Sequence, residues 1–349
     1  MKRFNRWMML LAAIALALAP AMARAAGRVE MQEFMVPAAD PGIQLYVRNK
    51  HPAGARAFSA DRVLVYVHGA TYPAETAFDL AVDGASMMDM LAARGWDVWM
   101  LDVRGYSRST RPPEMDRPAA DNKPIVDTAT AARDVGSVVD FVMKRRHVAK
   151  VNLMGWSWGT SIMGLYTTTH NANVSRLVLY APQWLSETKV PTDAPPLGAY
   201  RSVTRDAARD RWLMGVADDK KAALIPPGWY EAWANATFAT DPVGAKPDPA
   251  RPARPERRRA RQPRLLDGWQ AALPALRYHC ADLADPRGVG CRPADLSDGG
   301  LLRGVEEHAL QAVGAARRGN PHGHPQKNRM QFIHAVEQFL EEQRPQELN

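Results

Sequence analysis

The chain has 349 residues, 46% of them hydrophobic and 23% charged. This is ordinary globular material, long enough to bury a sizeable core in one large domain with an insertion or in two smaller ones. Its net charge of +8 does not point to a polyanion partner, because Lys2, Arg3, Arg6 and Arg24 carry +4 and residues 247–326 carry another +4, from thirteen Arg against nine acids, leaving the remainder neutral.

Residues 1–25 stand apart. Lys2, Arg3 and Arg6 precede an apolar run from Met8 to Ala19, followed by Pro20 and small residues at Ala21, Ala23 and Ala25. A basic start, a short apolar core and an A-x-A-like site are the order of a secretory signal, with cleavage expected after Ala23 or Ala25. The run is shorter than the ~18 residues a membrane anchor needs, and no later stretch is long enough to span a bilayer. The mature protein is expected to be periplasmic or secreted, without a membrane anchor. The two cysteines, Cys280 and Cys291, leave room for one disulfide in an exported chain.

The spacing predicts strands over 30–36, 43–50 and 62–67, the last containing the nearly all-apolar run Val63-Leu64-Val65-Tyr66-Val67 of a strand buried on both faces. It ends in His68-Gly69-Ala70. An amphipathic helix is predicted over 78–94, with Leu80, Met87, Met88 and Leu91 on one face. A strand (97–101), a helix (131–145), a strand (150–154), a helix from Trp158 and a strand (176–180) follow. This alternation implies an α/β fold with a mostly parallel, doubly wound sheet and reactive groups beyond the carboxyl ends of its strands. Residues 26–182 form that core. Residues 183–246 break the rhythm and read as a helical cap; their aromatics, Trp184, Tyr200, Trp212, Trp229, Tyr230 and Trp233, suit either the cap's own core or a pocket lining.

Gly155-Trp156-Ser157-Trp158-Gly159 is a G-x-S-x-G motif between a predicted strand and a predicted helix. A nucleophilic serine there sits on a strained turn, and the flanking glycines leave room that a Cβ would fill. The helix starting at Trp158 aims free N–H groups at a developing oxyanion. Together with His68-Gly69 and the stretch Asp102-Val103-Arg104-Gly105-Tyr106-Ser107, this segment resembles the α/β-hydrolase family, and the elbow is similar to those of esterases and of proline iminopeptidases. The resemblance implies a Ser–acid–His triad in that chain order, Ser157 as nucleophile, and backbone oxyanion donors at Ala70 and Trp158. It implies structural roles for His68 and Asp102 and no metal or cofactor. A small-molecule substrate, a carboxylic ester first and an N-terminal proline peptide second, follows from the same resemblance; a catalytically dead hydrolase-like protein is the non-enzymatic alternative.

The triad acid and base should come from residues 247–326, yet that segment contains no Ile, Phe, Thr, Met or Lys and no strand signal. One reading is a Pro/Arg-rich insertion that cannot build a core. Another is translation out of phase between about Lys246 and Gln326. Tyr is TAY and His is CAY, so the codon straddling Tyr278 and His279 specifies only Ile or Thr. Continued in that phase, residues 278–294 are compatible with Ile-Thr-Ala-Pro-Thr-Leu-Leu-Ile-Arg-Gly-Val-Trp-Asp-Ala-Asp-Leu-Pro, a buried strand followed by an acid turn. Residues 317–325 are compatible with Gly-Glu-Gly-Thr-His-Thr-Val-Ile-Leu, whose histidine straddles Pro321 and His322. In the written phase His322 is the candidate base, with His324 beside it, and Asp282, Asp285, Asp295 and Asp298 are undifferentiated candidate acids. Residues 327–349 resume with an amphipathic helix carrying Met330, Phe332, Ile333, Val336, Phe339 and Leu340.

Overall fold

In a computed structural model, residues 27–82, 84–182, 198–214, 216–219, 221, 225–245 and 329–341 are described. The expected signal, Trp184, both cysteines and the candidates at 282–324 lie outside these residues.

Strands β1 (Val29–Pro37) and β2 (Gln44–Pro52) form an antiparallel hairpin, with Val29 opposite Pro52 and Pro37 opposite Gln44. Next come β3 (Val63–Val67), a single turn α1 (Ala74–Ala77), α2 (Met87–Ala92) and β4 (Asp97–Leu101). Helix α3 (Thr128–Arg146), β5 (Val151–Trp156), α4 (Trp158–Thr169) and β6 (Val174–Tyr180) complete the alternation. Helices α5 (Arg205–Trp212), α6 (Trp229–Ala239) and α7 (Arg329–Glu341) follow. The sheet order is β1-β2-β4-β3-β5-β6, with β2 antiparallel to β4 and the pairs from β4 to β6 parallel.

Every residue of β3, β4 and β5 is buried, because helices cover both faces of the sheet. On one face, Val135, Val138 and Val142 of α3 and Ile162 of α4 pack with Val65, Val67 and Trp99. On the other, Met88 and Leu91 of α2 and Ile333, Val336 and Leu340 of α7 pack with Leu64, Tyr66 and Met100. Trp212, Tyr230 and Trp233 of α5 and α6 join this second cluster, with ring centroids 4.6 to 5.8 Å apart. Among the described residues, no helix is long and apolar enough to cross a membrane.

The structure corrects one predicted element. The helix expected over 78–94 is confined to Met87–Ala92, and residues 78–82 and 84–85 are not helical. Two polar anchors outweigh the apolar periodicity. Asp79 is buried, where Arg48 and Lys50 each reach it at 2.7 Å and Ser86 Oγ donates to it at 2.5 Å. Ser86 then starts the helix with a reciprocal capping box, accepting from the Asp89 N–H while the Asp89 carboxylate accepts from its own. Helix α3 starts at Thr128, ahead of the expected 131, because Asp127 caps it by accepting the Thr130 N–H at 2.7 Å.

One buried carboxylate ties the sheet to α3. Asp97, fully buried, accepts from Asn49 Nδ2 and Arg146 Nη2 at 2.8 Å, from Arg146 Nε at 2.8 Å and from Trp99 Nε1 at 2.6 Å. Removing a fully bonded buried partner leaves Arg146 and Asn49 unsatisfied, so Asp97→Ala is expected to cost ~3–5 kcal/mol, read as a lowered urea midpoint.

Candidate active site

Parallel pairing sets Val67, the last residue of β3, opposite Gly155 of β5. The two loops that leave these strands therefore emerge side by side at the carboxyl ends, where such sheets place their reactive groups. One loop is His68-Gly69-Ala70; the other is the turn through Ser157.

Ser157 sits between β5 and α4 with φ 52 and ψ −118, a strained conformation for a residue with a Cβ. The strain persists because the surroundings leave no alternative. A Cβ on Gly155 would lie 2.2 Å from the Gly159 carbonyl oxygen, and one on Gly159 would lie 2.7 Å from the carbonyl oxygens of Val67 and His68. A Cβ on Gly69 would meet both Ser157 Cβ and the Trp156 carbonyl oxygen at 3.0 Å. The glycines thus let helix, loop and strand close on the serine. The Ser157 N–H donates to the Tyr180 carbonyl at 3.0 Å, tying the turn to the end of β6, and Thr160 Oγ1 donates to the Ser157 carbonyl at 2.6 Å. Trp158 Nε1 donates to Thr128 Oγ1 at 3.0 Å, which fixes the start of α4 against α3. From Val151 to Thr160, Ser157 alone keeps a partly exposed surface.

The Trp158 N–H belongs to the first turn of α4, whose amides have no partner within the helix. Ala70 is half-buried against the α3/α4 core. Its loop is held from below by His68. Val103 N–H donates to His68 Nε2 at 3.2 Å, so the ring proton lies on Nδ1, which donates to the Gly69 carbonyl at 2.7 Å. Burial pushes the His68 pKa down to about 4, against a smaller upward pull from the Gly69 bond. A neutral ring with both nitrogens engaged has no lone pair left for a serine proton. Asp102 lies 3.9 Å from this ring and accepts the Ala74 N–H at 2.5 Å, while its carbonyl accepts from Ser109 Oγ at 2.6 Å. Both residues brace loops.

Several contributors were hidden in the sequence. Tyr106 Oη accepts the Thr71 N–H at 3.2 Å, its ring packs 4.3 Å from His68, and Thr71 itself has φ 89. Arg201 donates to Thr71 Oγ1, and the Tyr72 ring meets Trp233 edge-on at 4.8 Å, so two residues from 198–239 grip the loop that follows Ala70. Tyr106 stood inside a recognisable stretch, but nothing local marked its hydroxyl as a loop clamp. Among the described residues no cluster of His, Cys, Asp or Glu is arranged to hold a metal ion. His322, His324 and the four candidate aspartates lie outside the described residues.

A serine on a strained strand–turn–helix corner, over a mostly parallel sheet wrapped by helices, defines a nucleophile-elbow α/β protein. The chain belongs to the family described as alpha/beta hydrolase fold, which matches residues 63–275, more than half of its length. Among solved structures it is similar to a CIB-like hydrolase from Thermoplasma acidophilum, with 21% identity and TM-score 0.33 over 45% of this chain and 66% of that one. It is also similar to a mutant of potato epoxide hydrolase, with 18% identity and TM-score 0.33 over 44% and 40% of the two chains. A Vigna radiata epoxide hydrolase mutant gives 18% identity and TM-score 0.33 over 52% and 46%. The chain spans less than two thirds of the length of each of these proteins. No curated protein matches it.

Burial raises the Asp102 pKa to about 7, opposed by the Ala74 N–H, and its Oδ2 is buried without a hydrogen-bond partner among the described residues. A folded value above the ordinary ~3.9 means that this carboxyl's contribution to stability is whole below about pH 4 and is lost as pH rises through 7. Asp102→Asn keeps an acceptor for Ala74 and removes the buried charge. Melting curves should show it ~2–4 °C above the parent at pH 8 and close to the parent at pH 4.

Proposed function

We propose that the chain is built as an exported serine hydrolase that cleaves a carboxylic ester through an acyl-enzyme. One observation carries this reading: Ser157 is held at positive φ between glycines with no space for a Cβ, and it keeps a partly exposed surface amid buried neighbours. That geometry costs stability and serves to present a nucleophile. Ser157 Oγ attacks the ester carbonyl, and the carbonyl oxygen becomes an oxyanion facing the Ala70 and Trp158 N–H groups. A histidine takes the serine proton and returns it to the leaving alcohol; a carboxylate orients that histidine. In the chain as written, His322 is the candidate base and the acid is unassigned. Water then attacks the acyl-enzyme, with the same histidine as base. No cofactor enters this scheme. The substrate is a small molecule rather than a nucleic acid, in line with the neutral body of the chain.

A fluorophosphonate probe is expected to label the folded protein at Ser157, and Ser157→Ala should abolish labelling and lower ester turnover by a factor on the order of 10⁴ to 10⁶. Turnover of p-nitrophenyl esters should exceed that of proline anilides; the reverse order would support an aminopeptidase instead. The export reading rests on Lys2, Arg3 and Arg6 before the apolar run to Ala19. The protein should be recovered outside the cytoplasm with its amino terminus at Arg24 or Ala26 by sequencing, and recovery only in the cytoplasm with a start at Met1 would refute export.

A further inference from the structure

Among the described residues the sheet ends at β6. β3, β4 and β5 are buried at every position, but β6 is buried only at Val174, and from Ser175 to Tyr180 each residue is partly exposed. Among the described residues β6 pairs only with β5, so an apolar parallel strand, Leu177-Val178-Leu179, stands at the sheet's edge. Parallel strands of this composition belong in sheet interiors.

Yet the chain returns to the core beyond the gap. Ile333, Val336 and Leu340 of α7 are buried beside Met88, Leu91 and Trp96, and Phe332 packs 4.3 Å from Tyr180, the last residue of β6. Arg62 pairs with Glu341 at 2.6 Å and Arg94 with Glu337 at 3.4 Å. Residues 329–341 therefore pack against the same core as residues 29–180.

The composition of 247–326 differs sharply from that of the residues before it. Ile, Met, Thr, Lys, Asn, Phe, Tyr, Trp, Cys and Ser all require a codon that begins with A or T. Only six of the 80 residues from 247 to 326 are of these types, namely Trp269, Tyr278, Cys280, Cys291, Ser297 and Asn320, against 28 of the preceding 80. A codon's first base is that constrained to G or C when it is in truth the wobble base of a G+C-rich gene read in another phase. The true codons then begin at the second base of each written codon. That is the same phase in which residues 278–294 are compatible with a buried strand and an acid turn, and residues 317–325 with a histidine. Composition and motif are separate observations, and they select one phase out of two.

We propose that codons 247–326 are read one base out of phase, and that the in-phase product supplies a strand to follow β6, an aspartate straddling codons 290 and 291 as acid, and a histidine straddling codons 321 and 322 as base for Ser157. One base added near codon 246 and one lost near codon 326 leave the chain at its full length. The chain order Ser, acid, His is that of an α/β-hydrolase triad. The catalytic half of the inference rests on Ser157 being the nucleophile; the reading-phase half does not.

The gene decides the phase. Its G+C content should peak at the first codon position across 247–326 and at the third position elsewhere; a third-position peak throughout overturns the proposal. The protein decides the chemistry. A chain rephased by removing one base near codon 246 and adding one near codon 326 is compared with the written chain. The rephased chain should melt cooperatively at the higher temperature and take up the fluorophosphonate at least ~100-fold faster, with labelling lost in Ser157→Ala or when the new histidine is replaced by alanine. A rephased chain that is stable but unlabelled upholds the phase, overturns the triad assignment and sinks the hydrolase reading. Equal labelling of the two chains overturns the inference while leaving Ser157 a nucleophile, and so does a rephased chain that fails to fold where the written one melts cooperatively.

Discussion

The site depends on a close backbone approach between the loop leaving β3 and the turn leaving β5. With Val67 opposite Gly155, the backbones of Val67, His68 and Gly69 press directly on Gly159, Trp156 and Ser157, and no side chain fits between them. Everything at the site follows from that contact. It holds Ser157 in its strained conformation, brings the Ala70 loop beside the first turn of α4, and requires the glycines where they stand. The strain is sustained by rigid neighbours: Tyr180 accepts the Ser157 N–H, Thr128 accepts from Trp158, and His68 spans from Val103 to Gly69.

Around this contact, buried polar groups set the positions of the elements that apolar packing alone would leave free to slide. Asp97 links β2, β4 and α3 through Asn49, Trp99 and Arg146. Asp134 does the same for the loop after β4, since Arg104 meets it with Nη2 at 2.5 Å and Nε at 3.0 Å. Asp79 fixes the loop between α1 and α2 through Arg48, Lys50 and Ser86. Each carboxylate is nearly or fully out of water and paired, the arrangement in which loss of one partner is costly. At the end of β6 the Ser157 N–H bonds the Tyr180 carbonyl and Phe332 packs on the Tyr180 ring.

The strands and the elbow were legible because their signals are local. A run such as Val63–Val67 is apolar at every position only when both faces are covered, and G-x-S-x-G has one good use between a strand and a helix. The helix expected over 78–94 was misjudged for the opposite reason. Its apolar spacing was real, but Asp79 answers to Arg48 and Lys50 on β2, about thirty residues away in sequence, and that pairing outweighs local periodicity. The clamp of Tyr106 on Thr71 and the grip of Arg201 on the same residue were equally hidden, because hydroxyl contacts across loops leave no pattern in either segment.

The amino-acid sequence by itself determined the alternation of strand and helix, the nucleophile and its glycines, and the abrupt change of composition at residue 247, since each is written in neighbouring residues. The tertiary structure decided the rest. It showed that His68 is neutral and fully engaged, because Val103, from the loop after β4, donates to one ring nitrogen while the other donates to the Gly69 carbonyl. It showed that α7 still docks on the core while β6 stands at the edge, because burial depends on what packs across the sheet and not on the residues beside it in the chain.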